Sequence, residues 1–474
     1  MRLFGPSSKH SAPAETHTAR PDAPAQAKHM TYNAQAKHMM SKKVQMTYKK
    51  TLQAAMVAGI SIAIGLGTTA CSRDYVSDYV YTVSASGPNI NGFAVDYQSG
   101  ILTQITGSPF QTGFTRETTI VPSPDGKFLY VLSGSEDSKV EEFAVGTDGK
   151  LYGSHTYSLT GTYPTAMAID SAGKFLYITF TYLPGETPVT KGAGGVTIFP
   201  INSDNTLGTP VTQSGNPYLT VGNNPVAITV TAPVCSPTPV ISTNTSCTGT
   251  NGAGHQNVFV YIVDQEASPN ATVLGYAQNT STGALTPLSG TSFSSSLQTW
   301  QGYHAGVTPS AIVADPTGRF VYVTDETSNQ IYGFSIDNQL TGNLTALVSS
   351  PYGTGLFPVS ITIDPRGKYL YTANYNSGTV SSFAIDQASG SLSGVAGTGG
   401  FSTGTRPTCV TIDPALGIYL YTSNYLDGTV SAAQLNPNTG SLAGVANSPF
   451  TVSSLPACIA SVPNGPHSFQ LVNP

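Results

Sequence analysis

The chain reads as an all-β protein: a seven-bladed β-propeller of four-stranded blades, closed by a C-terminal inner strand that joins the first blade. Three observations predict this. An aromatic–aliphatic–Tyr run occurs seven times, at Tyr79-Val80-Tyr81, Phe128-Leu129-Tyr130, Phe175-Leu176-Tyr177, Phe259-Val260-Tyr261, Phe320-Val321-Tyr322, Tyr369-Leu370-Tyr371 and Tyr419-Leu420-Tyr421. Successive runs start 49, 47, 84, 61, 49 and 50 residues apart, and a repeat of about 50 residues holding several short strands is a propeller signature. The chain enters the pattern on a second-strand run (Tyr79) and leaves it on a first-strand run (Pro456–Val462). The last strand should therefore complete the first blade, and deleting everything after Leu455 should open the ring.

Within a repeat, strand one is Pro-x-small-aliphatic-x-aliphatic-Asp. It occurs at Pro164–Asp170, Pro225–Val230, Pro309–Asp315, Pro358–Asp364, Pro407–Asp413 and Pro456–Val462, and more weakly at Glu117–Ser123. Strand two is the aromatic run. Strand three is Val-x-x-aromatic-x-aliphatic, as in Val140–Val145, Val196–Ile201, Ile331–Ile336 and Val380–Ile385, with Ala433 replacing the aromatic in the last repeat. Strand four carries a Leu just after a turn, from Leu102 to Leu442. Apolar residues alternate with period two, so each sheet should bury both faces against its neighbours. The third position of strand one is always small: Thr119, Ala166, Ala227, Ala311, Ser360, Cys409 and Cys458. Seven inner strands crowd the axis there, and Cys409 and Cys458 read as small buried residues rather than as a disulfide.

Charged residues make up 9% of the chain, with 49 Gly and 33 Pro, which suits short strands and many turns. The net charge of -5 hides a split. Nine of the 20 Lys and Arg lie in the first 50 residues, against only Glu15 and Asp22 of the 25 acids, so from Cys71 onward 11 basic residues face 23 acidic ones. An acidic body argues against nucleic acid as a partner. Residues 1–45 are polar, repeat Ala-Gln-Ala-Lys-His-Met at Ala25–Met30 and Ala34–Met39, and read as a disordered tail or as a start assigned upstream of Met40 or Met46. Their four histidines are too scattered for a metal tract.

Residues 46–70 read as a signal peptide: Lys49-Lys50, an apolar run from Leu52 to Leu66, then small residues up to Cys71. The run is short for a membrane span. The Gly67-Thr68-Thr69-Ala70-Cys71 stretch resembles the lipobox of bacterial lipoproteins, with Thr68 where that motif usually has Leu. The resemblance implies acylation of Cys71, an anchor in the cell envelope, and a short linker over 71–78 before a propeller at 79–463 and a tail at 464–474. An ordinary secreted protein or a signal anchor is the plainer alternative. Cys235 and Cys247 bracket a Ser/Thr/Pro-rich insertion at 232–256 and are expected to form a disulfide.

The repeat Asp-Pro-x-Gly-Lys-aromatic-Leu-Tyr-x-x-Asn at Asp364–Asn374, followed by Val380-Ser381-Ser382-Phe383-Ala384-Ile385-Asp386 and Gly390-Ser391-Leu392, resembles the lactonase family of seven-bladed propellers. That family includes 6-phosphogluconolactonases and muconate cycloisomerases, and the repeat also resembles YVTN surface-protein repeats. The resemblance spans Tyr79 to Val462 and implies work at one mouth of the central channel with Arg, His and a Glu after strand two. Glu326 in Val323-Thr324-Asp325-Glu326-Thr327 matches that Glu. The Arg-His pair that normally follows the strand-one Pro is Ser310-Ala311 here, and His304 lies five residues before Pro309. The face before strand one and after strand two collects the catalytic candidates Glu326, His304 and Arg406 and the ligand-binding candidates Arg116, Asn374 and Asn424, together with Glu117. Lactone opening needs a base for water and a donor for the developing oxyanion: Glu326 or His304 for the first, Arg406 or Arg116 for the second. A plainer account makes Asn374, Asn424 and Asp325 turn caps and Glu326 a solvated loop residue. No metal motif or phosphate loop appears, so no cofactor is expected. The expected partners are a small lactone or carbohydrate and, through the lipid, a membrane, with the protein itself a monomer. A non-catalytic envelope binding scaffold is the competing reading.

Overall fold

The computed structural model describes residues 75–134, 137–189, 192–235, 256–265, 272–289, 302–337, 341–395 and 400–465. They form seven antiparallel sheets, each with four strands in sequence order from the axis outward except the first. Blades 2 to 7 begin with inner strands Glu117–Pro122, Thr162–Ile169, Pro225–Val230, Pro309–Ala314, Pro358–Ile363 and Pro407–Ile412. Blade 1 takes its inner strand from the other end of the chain: Pro456–Pro463 pairs antiparallel with Val76–Ser84, with Tyr79 opposite Val462. In blades 1, 4, 5, 6 and 7 a further two-residue strand pairs with the third strand.

Hydrophobic packing lies between blades. Seven apolar clusters each join two neighbouring blades, one of them uniting Val80 and Phe93 of blade 1 with Tyr419 and Tyr421 of blade 7. Each fully buried large side chain contributes about 1.5–3 kcal/mol of transfer free energy.

The aromatic–aliphatic–Tyr run has a specific task. Its Tyr donates from the hydroxyl to a turn carbonyl of the next blade: Tyr81 to Gly149, Tyr130 to Asn205, Tyr177 to Gly283, Tyr261 to Gly342, Tyr322 to Gly390, Tyr371 to Gly440, and Tyr421 across the seam to Gly100, at 2.5–3.1 Å. The run's first aromatic lies against the same turn, so a Cβ on Gly390 would stand 2.5 Å from the Phe320 ring. That turn residue has positive φ in every blade, 74° at Gly390 and 66° at Asn205, which is why the repeat carries Gly there, or Asn in blade 3.

Cys409 and Cys458 form a disulfide, with Cα atoms 4.9 Å apart. This corrects the reading of the two as merely small residues. The crowding inferred at the axis brings neighbouring inner strands within bridging distance, and here both strands carry Cys at the same level. The bond ties blade 7 to the closing strand of blade 1. Of the other expected pair, Cys235 ends a short strand opposite Gln256, while Cys247 lies outside the described residues, as do Cys71 and the signal segment.

Candidate active site at the channel mouth

Antiparallel pairing fixes which residues share a face. Pro309 stands opposite Asp325, Pro358 opposite Asn374 and Pro407 opposite Asn424. The residue before each inner strand therefore meets the residue after each second strand. The backbone records it: Gly134 N donates to Arg116 O, Glu326 N to Thr308 O, Tyr375 N to Phe357 O and Tyr425 N to Arg406 O, at 2.8–3.1 Å. This rim closes one mouth of the channel, and the Asp-Pro-x-Gly turns lie on the opposite face.

Glu326 is half-buried on the blade 5 rim. Burial first, and the Asp325 carboxylate second, push its pKa up. Asp325 is fully buried and accepts from the backbone N–H groups of Val307, Thr308, Thr327 and Ser328, which folds the two rim loops of blade 5 together. Arg406 is exposed on the blade 7 rim, with its guanidinium carbon 5.3 Å from the centroid of the Tyr375 ring. Tyr375 belongs to blade 6 and packs on Phe357, centroids 6.0 Å apart and tilted by 47°. Glu326 and Arg406 thus flank an aromatic pair, one blade to either side.

The other candidates are spread more widely. His304 is exposed and sits on a short strand that pairs with the third strand of blade 4. Its ring meets Tyr332 of blade 5 edge-on at 5.8 Å, outside the inner rim. Arg116 is on the rim of blade 2, nearly across the channel from Glu326. Asn374 and Asn424 are fully buried. Their amides donate to Thr379 and Ser381, and to Thr429 and Ser431, holding the loops between second and third strands. Ser310, at the position of the missing Arg, donates its hydroxyl to Pro358 O at 2.7 Å and so joins blade 5 to blade 6. Among the described residues no group of three or more His, Cys, Asp or Glu is placed to hold a metal ion.

Phe357 and Tyr375 carry no motif mark. Their signal is positional: a large ring before the inner-strand Pro and another after the second strand, visible only once the blades are aligned by their Tyr runs.

The family model described as "Lactonase, 7-bladed beta-propeller" matches residues 46–181 and 253–412. The chain belongs to the lactonase family. Among solved structures, this lactonase-family propeller is similar to a proposed 6-phosphogluconolactonase from Bacteroides uniformis ATCC 8492, with 21% identity, a TM-score of 0.59 and coverage of 81% of this chain and 99% of that one. It is also similar to the periplasmic gluconolactonase of Pseudomonas aeruginosa, with 18% identity, a TM-score of 0.58 and coverage of 82% and 99%. At such identities the likeness speaks for the fold. No curated protein matches the chain.

Proposed function

We propose that this lactonase-family propeller is exported, anchored through Cys71, and hydrolyses a sugar lactone at the rim of blades 5 to 7. The observation that carries the chemistry is the arc itself: a half-buried carboxylate, Glu326, and a guanidinium, Arg406, on either side of an aromatic pair at the channel mouth. Glu326 takes a proton from water as the oxygen attacks the lactone carbonyl. Arg406 faces the oxyanion that forms. Collapse breaks the ring C–O bond, and the leaving alkoxide takes up the proton to give the open hydroxy acid. His304, the other candidate base, sits outside the inner rim. Export is supported by the signal pattern and by the Cys409–Cys458 bond, since disulfides persist in oxidising compartments.

The test is hydrolysis of glucono-1,5-lactone by the mature chain. Glu326→Gln and Arg406→Ala are each expected to lower kcat/KM by about 100-fold, and His304→Gln to leave it nearly unchanged. Burial raises the Glu326 pKa, and only the ionised carboxylate can take the proton, so the rate should drop as pH is lowered through a point above the ordinary carboxylate range, and Glu326→Gln should abolish that limb. Turnover equal in parent and both variants would remove these residues from the chemistry. Cys71→Ser is expected to move the protein from the membrane fraction to the soluble one. The second reading, a binding scaffold, is favoured by Ser310, whose hydroxyl is engaged in joining blades where the family places a catalytic side chain. Absence of turnover on any lactone would select it.

A further inference from the structure

The rim arc of blades 6 and 7 is held in an unfavourable backbone conformation that displays rings. Phe357 and Arg406 occupy the same position in neighbouring blades, each immediately before the inner-strand Pro, and both have left-handed φ, 60° and 58°. Side-chain-bearing residues take that conformation only where their surroundings impose it. Here the surroundings do: Phe357 N donates to Asn329 Oδ1 at 2.7 Å, and Thr354 N to Asn329 O at 2.9 Å, from the loop that carries Glu326. Arg406 O accepts from Tyr425 N at 3.0 Å. The outcome is a shelf of Phe357 and Tyr375, half-buried and still open to solvent, with the Arg406 guanidinium lying over the Tyr375 ring. Leu356 and Leu426, in the rim loops of blades 6 and 7, are 56% and 52% exposed.

Charge is distributed to match. Among the described residues of blades 5 to 7, Arg406 is the only Lys or Arg on this face, while Arg319, Arg366 and Lys368 sit in turns on the opposite one. Glu326 and Asp427 lie in the rim loops of blades 5 and 7 that flank the shelf. A phosphate monoester carries between one and two negative charges at neutral pH, and its recognition calls for several converging donors. A sugar ring without phosphate calls for what is present: an aromatic face for its C–H face, and a guanidinium fork for its hydroxyl oxygens.

We infer that the Phe357–Tyr375 shelf, edged by Arg406, is a stacking subsite for the ring of an uncharged sugar lactone, and that it selects against the phosphorylated counterpart. This deepens the lactonase reading and rests on the same mouth, but it concerns binding and needs no turnover. The test is calorimetric titration of the mature chain with glucono-1,5-lactam, a neutral ring that is not opened by hydrolysis, and with the 6-phosphate of the same lactam. The lactam is expected to bind more tightly than the phosphate. Tyr375→Ala and Phe357→Ala should each weaken the lactam by about tenfold, the scale of one lost stacking contact, while Tyr375→Phe retains it. Should an alanine variant fail to fold, Tyr375→Leu replaces it, and the two-ligand comparison on the parent protein decides alone. No lactam binding, equal or tighter binding of the lactam 6-phosphate, or alanine variants that bind like the parent would overturn the inference. Lactam binding without hydrolysis of any lactone would overturn the hydrolase and leave the subsite standing.

Discussion

Glu117 stands where the six other inner strands have Pro. It is 1% exposed, and its carboxylate accepts from Ser84 N at 3.0 Å and from the Thr112 hydroxyl, stitching blade 1 to blade 2. Burial pushes its pKa up to about 7 against the pull of those hydrogen bonds. A carboxyl raised above its unfolded value holds its proton more tightly when folded. Its contribution is therefore largest at low pH and is lost as pH rises from the unfolded value of 4.5 to about 7. Glu117→Gln should flatten the dependence of stability on pH across that window, with urea midpoints of parent and variant converging at pH 4 and the variant ahead at pH 8. An unchanged slope would refute the assignment. The sequence shows that Pro is absent here but not that the carboxyl is enclosed, because the enclosing groups come from Ser84 and Thr112 in other strands. The same holds for Asn374 and Asn424, whose place on the rim was legible while their burial was not. It holds too for Phe357 and Tyr375, which become a pair only when two loops of one blade meet.

At the scale of the element, the blade repeats because its turn and its Tyr run are two halves of one joint. Tyr322→Phe removes a buried hydrogen bond to Gly390 O and should cost about 1 kcal/mol. Gly390→Ala must place a Cβ at positive φ and 2.5 Å from the Phe320 ring, and should cost about 2–3 kcal/mol, read as a shift in denaturation midpoint. A smaller loss for the Ala variant than for the Phe variant would show that the ring contact gives way easily. Strand identities were legible because residues alternate at period two and the turns repeat. The Ser-Pro pairs were not. Ser108, Ser350 and Ser448 accept from Gly92 N, Gly333 N and Ala432 N in the third strands of blades 1, 5 and 7, at 2.9–3.0 Å. A serine in a loop gives no sign of which strand it will serve.

For the whole molecule, ring closure was readable by counting where the repeat starts and stops, and Pro456–Pro463 pairs with Val76–Ser84 accordingly. The disulfide beside it was not readable, since the distance between residues 49 apart in sequence is set by two inner strands meeting at the axis. Closing a loop of that length is worth about 4 kcal/mol in the chain-entropy model. Cys458→Ser should lower stability by an amount of that order, and a parent protein insensitive to reductant in a melting experiment would argue against the bond. A ribosome releases Val76 long before Pro456. Through the making of six later blades, the oldest sheet of the nascent protein lacks the strand that lines its own axis, and its unpaired edge waits on the youngest residues. Maturation of the ring is therefore gated by the arrival of one eight-residue segment, and folding to the native circle should be slow and all-or-none at that final step.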